Sequence, residues 1–236
     1  MTTCLLVRHG QSRANVEGIL AGHLDSDLTA TGADQAARLA ARLATVRLRL
    51  VVTSPVRRCR ATAEHIVSAP ADPPDTHIDD RLVEVRYGAW TGRSLAALAS
   101  EDLWSTVQSA PSTVTFPPDP EHAAESMTAM VDRAWAAWEH WAQAVTSANG
   151  AHAVWVLVSH GDVIKALLAR GLGLALDSFQ SIVVDPASVS VVHRTGERLA
   201  VGAMNVREDL FDRLSDRTDP THEPGANAGA VGGGDA

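Results

Sequence analysis

Residues 154–172 read VWVLVSHGDVIKALLARGL, and this stretch decides the fold class. An apolar run of strand length comes first, Ser159 and His160 end it, and Gly161 and Asp162 open a helical pattern that continues to about Leu172. Short apolar runs without polar alternation are typical of strands that are buried on both faces of a parallel sheet. The stretch therefore predicts a buried strand followed directly by a helix, which is the repeating unit of α/β proteins.

The same design occurs twice more, nearer the amino terminus. Residues 3–7 form an apolar run that Arg8 ends, and residues 48–53 form another run, followed by Ser54 and Pro55. Ser54 as N-cap and Pro55 at the first helical position predict a helix there. Further helices are predicted at 32–44 and 127–146, and further strands at 182–184, 189–193 and 199–204. We therefore expect a three-layer α/β/α sandwich with a mainly parallel sheet.

Two segments depart from this alternation. Residues 86–126 are rich in Pro, Ser and Ala and are interpreted as an insertion that forms a small helical cap with a loop. Residues 207–236 carry seven acidic residues against three arginines and end in GANAGAVGGGDA. Such an acidic, Gly-rich tail buries too little apolar surface to offset its ordering entropy, so we expect it to be disordered. Residues 1–206 are then expected to form the folded domain.

The composition excludes several classes of protein. The 236-residue chain has a formal net charge of -8, and its arginines are scattered among acids. Proteins that bind the nucleic-acid backbone carry dense basic patches, so no nucleic-acid partner is expected. The longest apolar runs fall far short of the ~20 residues of a membrane-spanning helix, so no membrane partner is expected either.

The cysteines indicate a cellular compartment, and the usage of arginine, lysine and alanine indicates a type of genome. Cys4 and Cys59 form neither a disulfide framework nor a metal-binding spacing, which favours a reducing compartment, the cytoplasm. Arginine replaces nearly all lysine and alanine is abundant, which suggests a GC-rich bacterial genome.

The predicted strand ends carry the chemistry. Ligands of open α/β sheets bind beyond the carboxyl ends of the strands. Here those ends lead into Arg8 and His9, into a helix with Arg58 in its first turn, and into His160. A neutral imidazole can attack phosphorus, and guanidinium groups can neutralise the phosphoryl oxygens. The arrangement predicts phosphoryl transfer without a metal. Because nucleotide-loop and zinc motifs are absent and the carboxylates do not cluster at strand ends, no metal and no cofactor are expected.

Four segments, in this order along the chain, resemble the signatures of the histidine phosphatase superfamily, in its phosphoglycerate mutase-like branch. They are LVRHGQS (6–12), TSPVRRCRATA (53–63), LVEVRYGAWTG (82–92) and VSHGDVIKAL (158–167). The similarity spans residues 3–204. RHG alone is a weak match, whereas all four segments in order, each at a predicted strand or helix end, form a strong one.

The resemblance implies five catalytic residues. His9 corresponds to the nucleophile that becomes phosphohistidine, and Arg8 and Arg58 correspond to the arginines that hold the phosphoryl oxygens. His160 corresponds to the second histidine, which donates a hydrogen bond to the transferring group. Glu84 corresponds to the acid that protonates the leaving oxygen and then activates water.

Four further residues are assigned to substrate binding by the same resemblance: Asn15, Ala21, Gly22 and Gly161. Asn15 matches an asparagine that lines the phosphate pocket. Ala21 and Gly22 match a loop whose backbone amides approach the substrate, a role that glycine permits. Arg57, beside Arg58, is the weaker candidate for the site, and a surface charge on the helix is the better interpretation.

Other polar residues keep alternative interpretations. Glu84 could instead pair with Arg86 on a solvated turn. At the cap edge, where relatives place substrate contacts, lie His122, Glu125 and Ser126, although Ser126 fits a helix N-cap equally well. A second anionic group could be bound by any of three arginines: Arg13, Arg86 and Arg93.

The choice of phosphoryl acceptor distinguishes the possible activities. In mutases the motif around the acid resembles ERHYG, whereas here it reads EVRYG, and residues 94–127 contain no Lys or Arg. We therefore expect a metal-independent phosphomonoesterase that hydrolyses a small phosphorylated metabolite through phosphohistidine. A cofactor-dependent phosphoglycerate mutase is the first alternative, and a non-catalytic phosphate-binding module is the second. A tryptophan-rich face on the helix at 127–146 favours a homo-oligomer, a dimer or higher.

Overall fold

A computed structural model of the protein describes residues 1–207, and within that range six strands form one mixed sheet. The strands are β1 (Thr2–Arg8), β2 (Leu48–Thr53), β3 (Asp75–Ile78), β4 (Val154–Ser159), β5 (Val189–Thr195) and β6 (Arg198–Val206). Their order is β3-β2-β4-β1-β5-β6. The first four strands of that order are parallel, and β5 and β6 form an antiparallel hairpin at one edge. The expected mainly parallel α/β sheet is confirmed.

Helices connect the strands. In the part of the chain that the structure describes, the α-helices are α1 (Arg13–Val16), α2 (Ala30–Leu43), α3 (Arg57–Ser68), α4 (Leu95–Leu98), α5 (Asp102–Ser109), α6 (Met127–Asn149) and α7 (Gly161–Gly171). Side-chain N-caps set two of the long helices: Thr29 accepts from the Gly32 amide, and Ser126 accepts from the Ala129 amide. The helices predicted near 32–44, 127–146 and 161–172 are therefore confirmed.

Helices cover both faces of the sheet. Successive strand residues point to opposite faces, so each buried strand contributes to two cores. One core joins α2 and α3 to the sheet through Leu39, Ala40, Cys59, Ala63, Ile66, Leu5, Val7, Val51, Val156 and Val158. The other joins α6 and α7 to it through Cys4, Leu6, Leu50, Val52, Leu157, Met130, Ala134, Trp138, Ile164 and Leu168. The result is the three-layer sandwich that the sequence pattern predicts.

The strand order brings three chain segments to one edge of the sheet. Strand β4 lies between β1 and β2, and Arg8 of β1 is level with Ser159 of β4. Thr53 at the end of β2 is level with Val158. Because all three strands are parallel, the residues that follow them emerge side by side.

Two local predictions are wrong, and one strand was missed. Residues 182–184 form no strand; the Val184 carbonyl accepts a hydrogen bond from the Arg8 guanidinium instead of joining a ladder. Strand β3 was not predicted, because its four residues are exposed at the sheet edge and lack an apolar pattern. Ser54 is not the N-cap of α3, whose N-cap is Val56; the Ser54 hydroxyl bonds to His160.

The segment at 86–126, predicted as a cap, contains α4 and α5 and packs against α6. Two of its buried aromatic side chains, Trp90 and Phe116, meet edge to face with ring centroids 5.5 Å apart, inside the same core as α6 and α7. No helix among residues 1–207 is both long enough and apolar enough to cross a bilayer. Of the tail predicted at 207–236, only Arg207 is described, and it pairs with Asp185.

Candidate active site

Two histidines lie side by side where β1 and β4 end. His9 follows β1 directly, and His160 follows β4 and is the N-cap of α7. Both side chains are buried, and their ring centroids are 5.4 Å apart. The convergence that the topology predicts is present in the structure.

His9 is held as a neutral imidazole with a defined orientation. Its Nδ1 lies 2.7 Å from the Gly10 carbonyl, which can only accept a hydrogen bond, so Nδ1 carries the proton. Its Nε2 then has a lone pair, which accepts from Arg58 Nε at 3.1 Å. Burial, and then the charges of Arg58 and Arg8, hold the pKa of His9 well below its usual range. The atom that faces Arg58 is therefore an available nucleophile near neutral pH.

The loop after β1 is fixed from two sides. The Gly10 amide donates to Thr62 Oγ1 of α3 at 3.1 Å. On the other side a Cβ at Gly10 would lie 2.4 Å from the Gly32 carbonyl oxygen of α2, so only glycine permits this approach. This packing fixes the Gly10 carbonyl that orients His9.

Arg58 connects both histidines to the loop at 22–24. Besides Nε to His9, its Nη2 lies 3.0 Å from His160 Nδ1 and donates to the Gly22 carbonyl at 2.8 Å. Its Nη1 donates to the Leu24 carbonyl at 3.0 Å. Burial lowers the pKa of Arg58, but a guanidinium keeps its charge in proteins. The site therefore holds a buried, fixed cation between two neutral imidazoles.

His160 has the opposite tautomer to His9. Because its Nδ1 accepts from Arg58, its Nε2 carries the proton and donates to Ser54 Oγ at 2.9 Å. Burial, and then the charges of Arg58 and His9, hold the pKa of His160 well below its usual range. An anion bound beside Nδ1 would favour protonation there and convert this nitrogen into a donor.

Glu84 is a buried carboxyl group with an unusual proton affinity. Its Oε1 accepts from the Val85 amide at 3.0 Å, and its Oε2 lies 3.5 Å from the Asp162 amide. Burial, and then the negative charge of Asp162, raise the pKa of Glu84 to about 7. Asp162 in turn accepts from the Tyr87 hydroxyl at 2.6 Å. Glu84 can therefore be either protonated or ionised near neutral pH, as an acid-base catalyst requires.

A narrow pocket opens over His9, Arg58 and Glu84, and neither His160 nor Gly161 is part of its lining. It is lined by His9, Arg58, Glu84, Asn15, Ala21, Gly22 and Tyr87, together with Ser12, Ala14, Ile19 and Leu20. Asn15 is oriented by Ser12, whose amide and hydroxyl both donate to its Oδ1 at 2.9 Å, so its amide N–H₂ group is the part that can donate to a ligand. Gly161, the fourth predicted binding residue, is the first residue of α7, beside His160.

Other sequence candidates lie outside this pocket or have partners of their own. Arg57 is exposed and pairs with Asp27 at 3.0 Å. At the cap, Arg93 pairs with Glu101 at 2.5 Å, Glu125 pairs with Arg133 at 2.6 Å, and Ser126 caps α6. Arg13 is exposed, while Arg86 and His122 are half-buried; none of the three lines the pocket.

Several polar residues that contact the predicted site were not predicted from the sequence. Among them are His23, Ser54, Thr62, Arg133 and Asp162. Ser54, Thr62 and Asp162 lie within quoted motifs and could have been noted there. His23 and Arg133 are single polar residues, and only the fold brings them to Glu84. Across residues 1–207, no group of three or more His, Cys, Asp or Glu side chains is arranged to hold a metal ion.

Comparisons with known proteins identify the family to which this fold belongs. The profile of the histidine phosphatase superfamily (branch 1) matches residues 4–207. Phosphoserine phosphatase 1 of Hydrogenobacter thermophilus is 31% identical over 214 residues, covering 87% of this chain and 93% of the relative. A 2,3-bisphosphoglycerate-dependent phosphoglycerate mutase of Thermoplasma acidophilum is 27% identical over 217 residues, covering 91% and 99%. The crystal structure of the α-ribazole phosphatase of Shigella flexneri superposes with a TM-score of 0.72 at 26% identity, covering 86% and 96%.

Proposed function

The chain belongs to branch 1 of the histidine phosphatase superfamily, and we propose that it is a metal-independent phosphatase that hydrolyses small phosphate monoesters through a phosphohistidine. The observation that carries this proposal is the protonation of two groups, the His9 imidazole and the Glu84 carboxyl group. His9 is fixed with its lone pair on Nε2, and Glu84 has a pKa of about 7. One is ready to attack, and the other can give a proton at the same pH.

In the first step, His9 Nε2 attacks phosphorus. The N–P bond forms as the bond between phosphorus and the ester oxygen breaks, and protonated Glu84 gives its proton to that oxygen. Arg58 lines the pocket and offsets the charge that develops on the phosphoryl oxygens, and His160 donates to them once it is protonated at Nδ1. Arg8 is outside the pocket lining and its guanidinium donates to the Val184 carbonyl, so it contributes positive charge next to His9 rather than a contact that the structure shows. Asn15 adds an amide donor at the edge of the pocket.

In the second step, Glu84 is a carboxylate and acts as a base. It takes a proton from water as the water oxygen attacks phosphorus, and the N–P bond to His9 breaks. Inorganic phosphate leaves, and both residues return to their initial protonation states. Because one carboxyl group serves both steps, its pKa must lie near the working pH, and a pKa of about 7 therefore suits hydrolysis near neutral pH.

The substrate class follows from the charge around the pocket. Ile19, Leu20 and Ala21 give the pocket an apolar side, and the cap segment at 94–127 contains no Lys or Arg. Arg93, next to that segment, is already paired with Glu101. We therefore propose a small phosphorylated metabolite with a neutral or apolar leaving group. A polyanion would find few cations here, which disfavours phosphoglycerate mutase activity, although several relatives carry that name.

Hydrolysis of p-nitrophenyl phosphate in EDTA tests the proposal, with wild type, His9→Ala and Arg57→Ala assayed from pH 5 to 8. We expect turnover by the wild type and by Arg57→Ala, and a loss of at least ~10³-fold in His9→Ala. A parallel assay measures mutase activity with bisphosphoglycerate. Mutase turnover above hydrolysis at matched substrate concentrations would make the mutase the correct assignment. Phosphate binding without turnover on either substrate would indicate a binding module.

The proposal also covers the cellular location, the oligomeric state and the extent of the catalytic domain. We propose a cytoplasmic location in a bacterium and a homo-oligomer, with residues 1–206 as one catalytic domain. Both cysteines are buried and unpaired, as in a reducing compartment. Trp135 and Trp141 of α6 are only partly buried, which leaves apolar surface for a second copy.

A further inference from the structure

The backbone that carries Glu84 is held by one arginine of α6. The Arg133 guanidinium donates to the carbonyls of Arg81 and Val83, both at 2.7 Å, and to the Glu84 carbonyl at 2.9 Å. Its side chain is only 13% exposed. A single group on a long helix therefore fixes three carbonyl oxygens within four residues of chain.

The same guanidinium is itself oriented by a carboxylate. Arg133 Nε lies 3.0 Å from Glu125 Oε2, and Nη2 lies 2.6 Å from Oε1, a bidentate pair. Glu125 Oε1 also accepts from the Arg86 amide at 3.0 Å. The pair thus holds the segment 81–86 at both ends and ties it to α6.

Glu84 depends on this backbone support because its own carboxyl group has few partners. That group contacts the Val85 amide and, at 3.5 Å, the Asp162 amide. The Glu84 carbonyl, in contrast, accepts from Arg133 and, at 2.8 Å, from His23 Nε2. The position of the carboxyl group relative to the ester oxygen is therefore set mainly by the position of the Glu84 backbone.

We propose that Arg133, oriented by Glu125, is a positioning residue for Glu84 as the proton donor to the leaving oxygen. The inference rests on the proposed phosphatase function. A displacement of about 1 Å is enough to weaken proton transfer strongly, because the donor must lie within hydrogen-bond reach of the oxygen. Lysine cannot replace the guanidinium, since one ammonium group cannot bind three carbonyls and a carboxylate in a plane.

Dependence on the leaving group distinguishes this role from a general structural one. An acidic leaving group such as p-nitrophenol departs without a proton, whereas an alkyl alcohol needs one. A variant that misplaces Glu84 should therefore lose activity selectively on alkyl esters. A variant that merely loosens the fold should lose activity on both.

The experiment compares kcat/KM for p-nitrophenyl phosphate and propyl phosphate in wild type, Arg133→Lys and Glu125→Gln. Arg170→Lys is the matched control, because Arg170 of α7 pairs with the exposed Asp132 of α6, the residue next to Arg133. For Arg133→Lys we expect kcat/KM to fall ~10²-fold for propyl phosphate and by less than ~5-fold for p-nitrophenyl phosphate. For Glu125→Gln we expect smaller losses, again larger for propyl phosphate than for p-nitrophenyl phosphate. In a Glu84→Gln background, Arg133→Lys should add no selective loss.

If kcat/KM falls equally for both esters in a folded variant, Arg133→Lys or Glu125→Gln, the positioning role is overturned. Thermal unfolding establishes which variants are folded, and Glu125→Gln decides the question if Arg133→Lys is not. No hydrolysis of either ester by the wild type would overturn the proposed function, and this inference with it. Wild-type turnover with uniform losses in the variants would overturn the inference alone.

Discussion

Replacing Glu84 by Gln should stabilise the folded protein at alkaline pH while it removes the acid catalyst. Burial and Asp162 raise the pKa of this carboxyl group from 4.5 to about 7. The folded state therefore binds the proton more tightly than the unfolded chain, so the free energy of unfolding of the wild type falls as pH rises from 4.5 to 7. Each unit of difference between the folded and unfolded pKa of Glu84 changes the free energy of unfolding by about 1.4 kcal/mol. The total loss of stability from this group is therefore ~3 kcal/mol. Glutamine does not titrate, so the variant avoids this loss.

Urea unfolding of wild type and Glu84→Gln at pH 4, 6 and 8 measures the difference directly. We expect the two proteins to differ little at pH 4 and the variant to be more stable by ~2–3 kcal/mol at pH 8. The contributions of the buried histidines are common to both chains and largely cancel in the difference. A difference that does not change with pH, or a variant that is less stable at pH 8, would refute the assignment of a protonated, buried Glu84.

Two further sets of variants test the electrostatics of the site. Asp162→Asn removes the negative charge that helps to raise the pKa of Glu84, so the alkaline limb of kcat/KM for an alkyl ester should move toward lower pH. An unchanged limb would show that burial alone sets that pKa. Arg58→Ala should lower kcat/KM by ~10²–10³-fold, whereas Arg57→Ala, which breaks an exposed pair with Asp27, should change it by less than about twofold; comparable losses would place both arginines in the site.

The fold could be predicted where buried strands lead directly into helices. The apolar runs at the positions of β1, β2 and β4 gave correct strands, because strands buried on both faces have few alternatives to apolar side chains. Strand β3 could not be found in this way, since an exposed edge strand needs no apolar pattern. The apolar run at 182–184 was misleading because its Val184 carbonyl is used by Arg8 rather than by a neighbouring strand.

The site was predictable only in part, for a similar reason. His9, Arg58 and His160 follow strand ends or lie in the first turn of a helix, so the chain order alone brings them together. Ser54 was interpreted as a helix cap because a hydroxyl before proline is typical of that role, but a buried histidine competes for it. The contact between Arg133 and the Glu84 backbone joins residues 49 apart in sequence, and no local pattern records it.

The most direct test of the account is to identify the covalent intermediate. Wild type and His9→Ala are mixed with excess p-nitrophenyl phosphate, quenched in alkali within milliseconds, and analysed by mass spectrometry of the intact chain and its peptides. The account predicts one phosphoryl group per chain on His9, lost on acidification because a phosphoramidate is labile to acid, and none on His9→Ala. An acid-stable adduct, an adduct on another residue, or undiminished turnover by His9→Ala would contradict it.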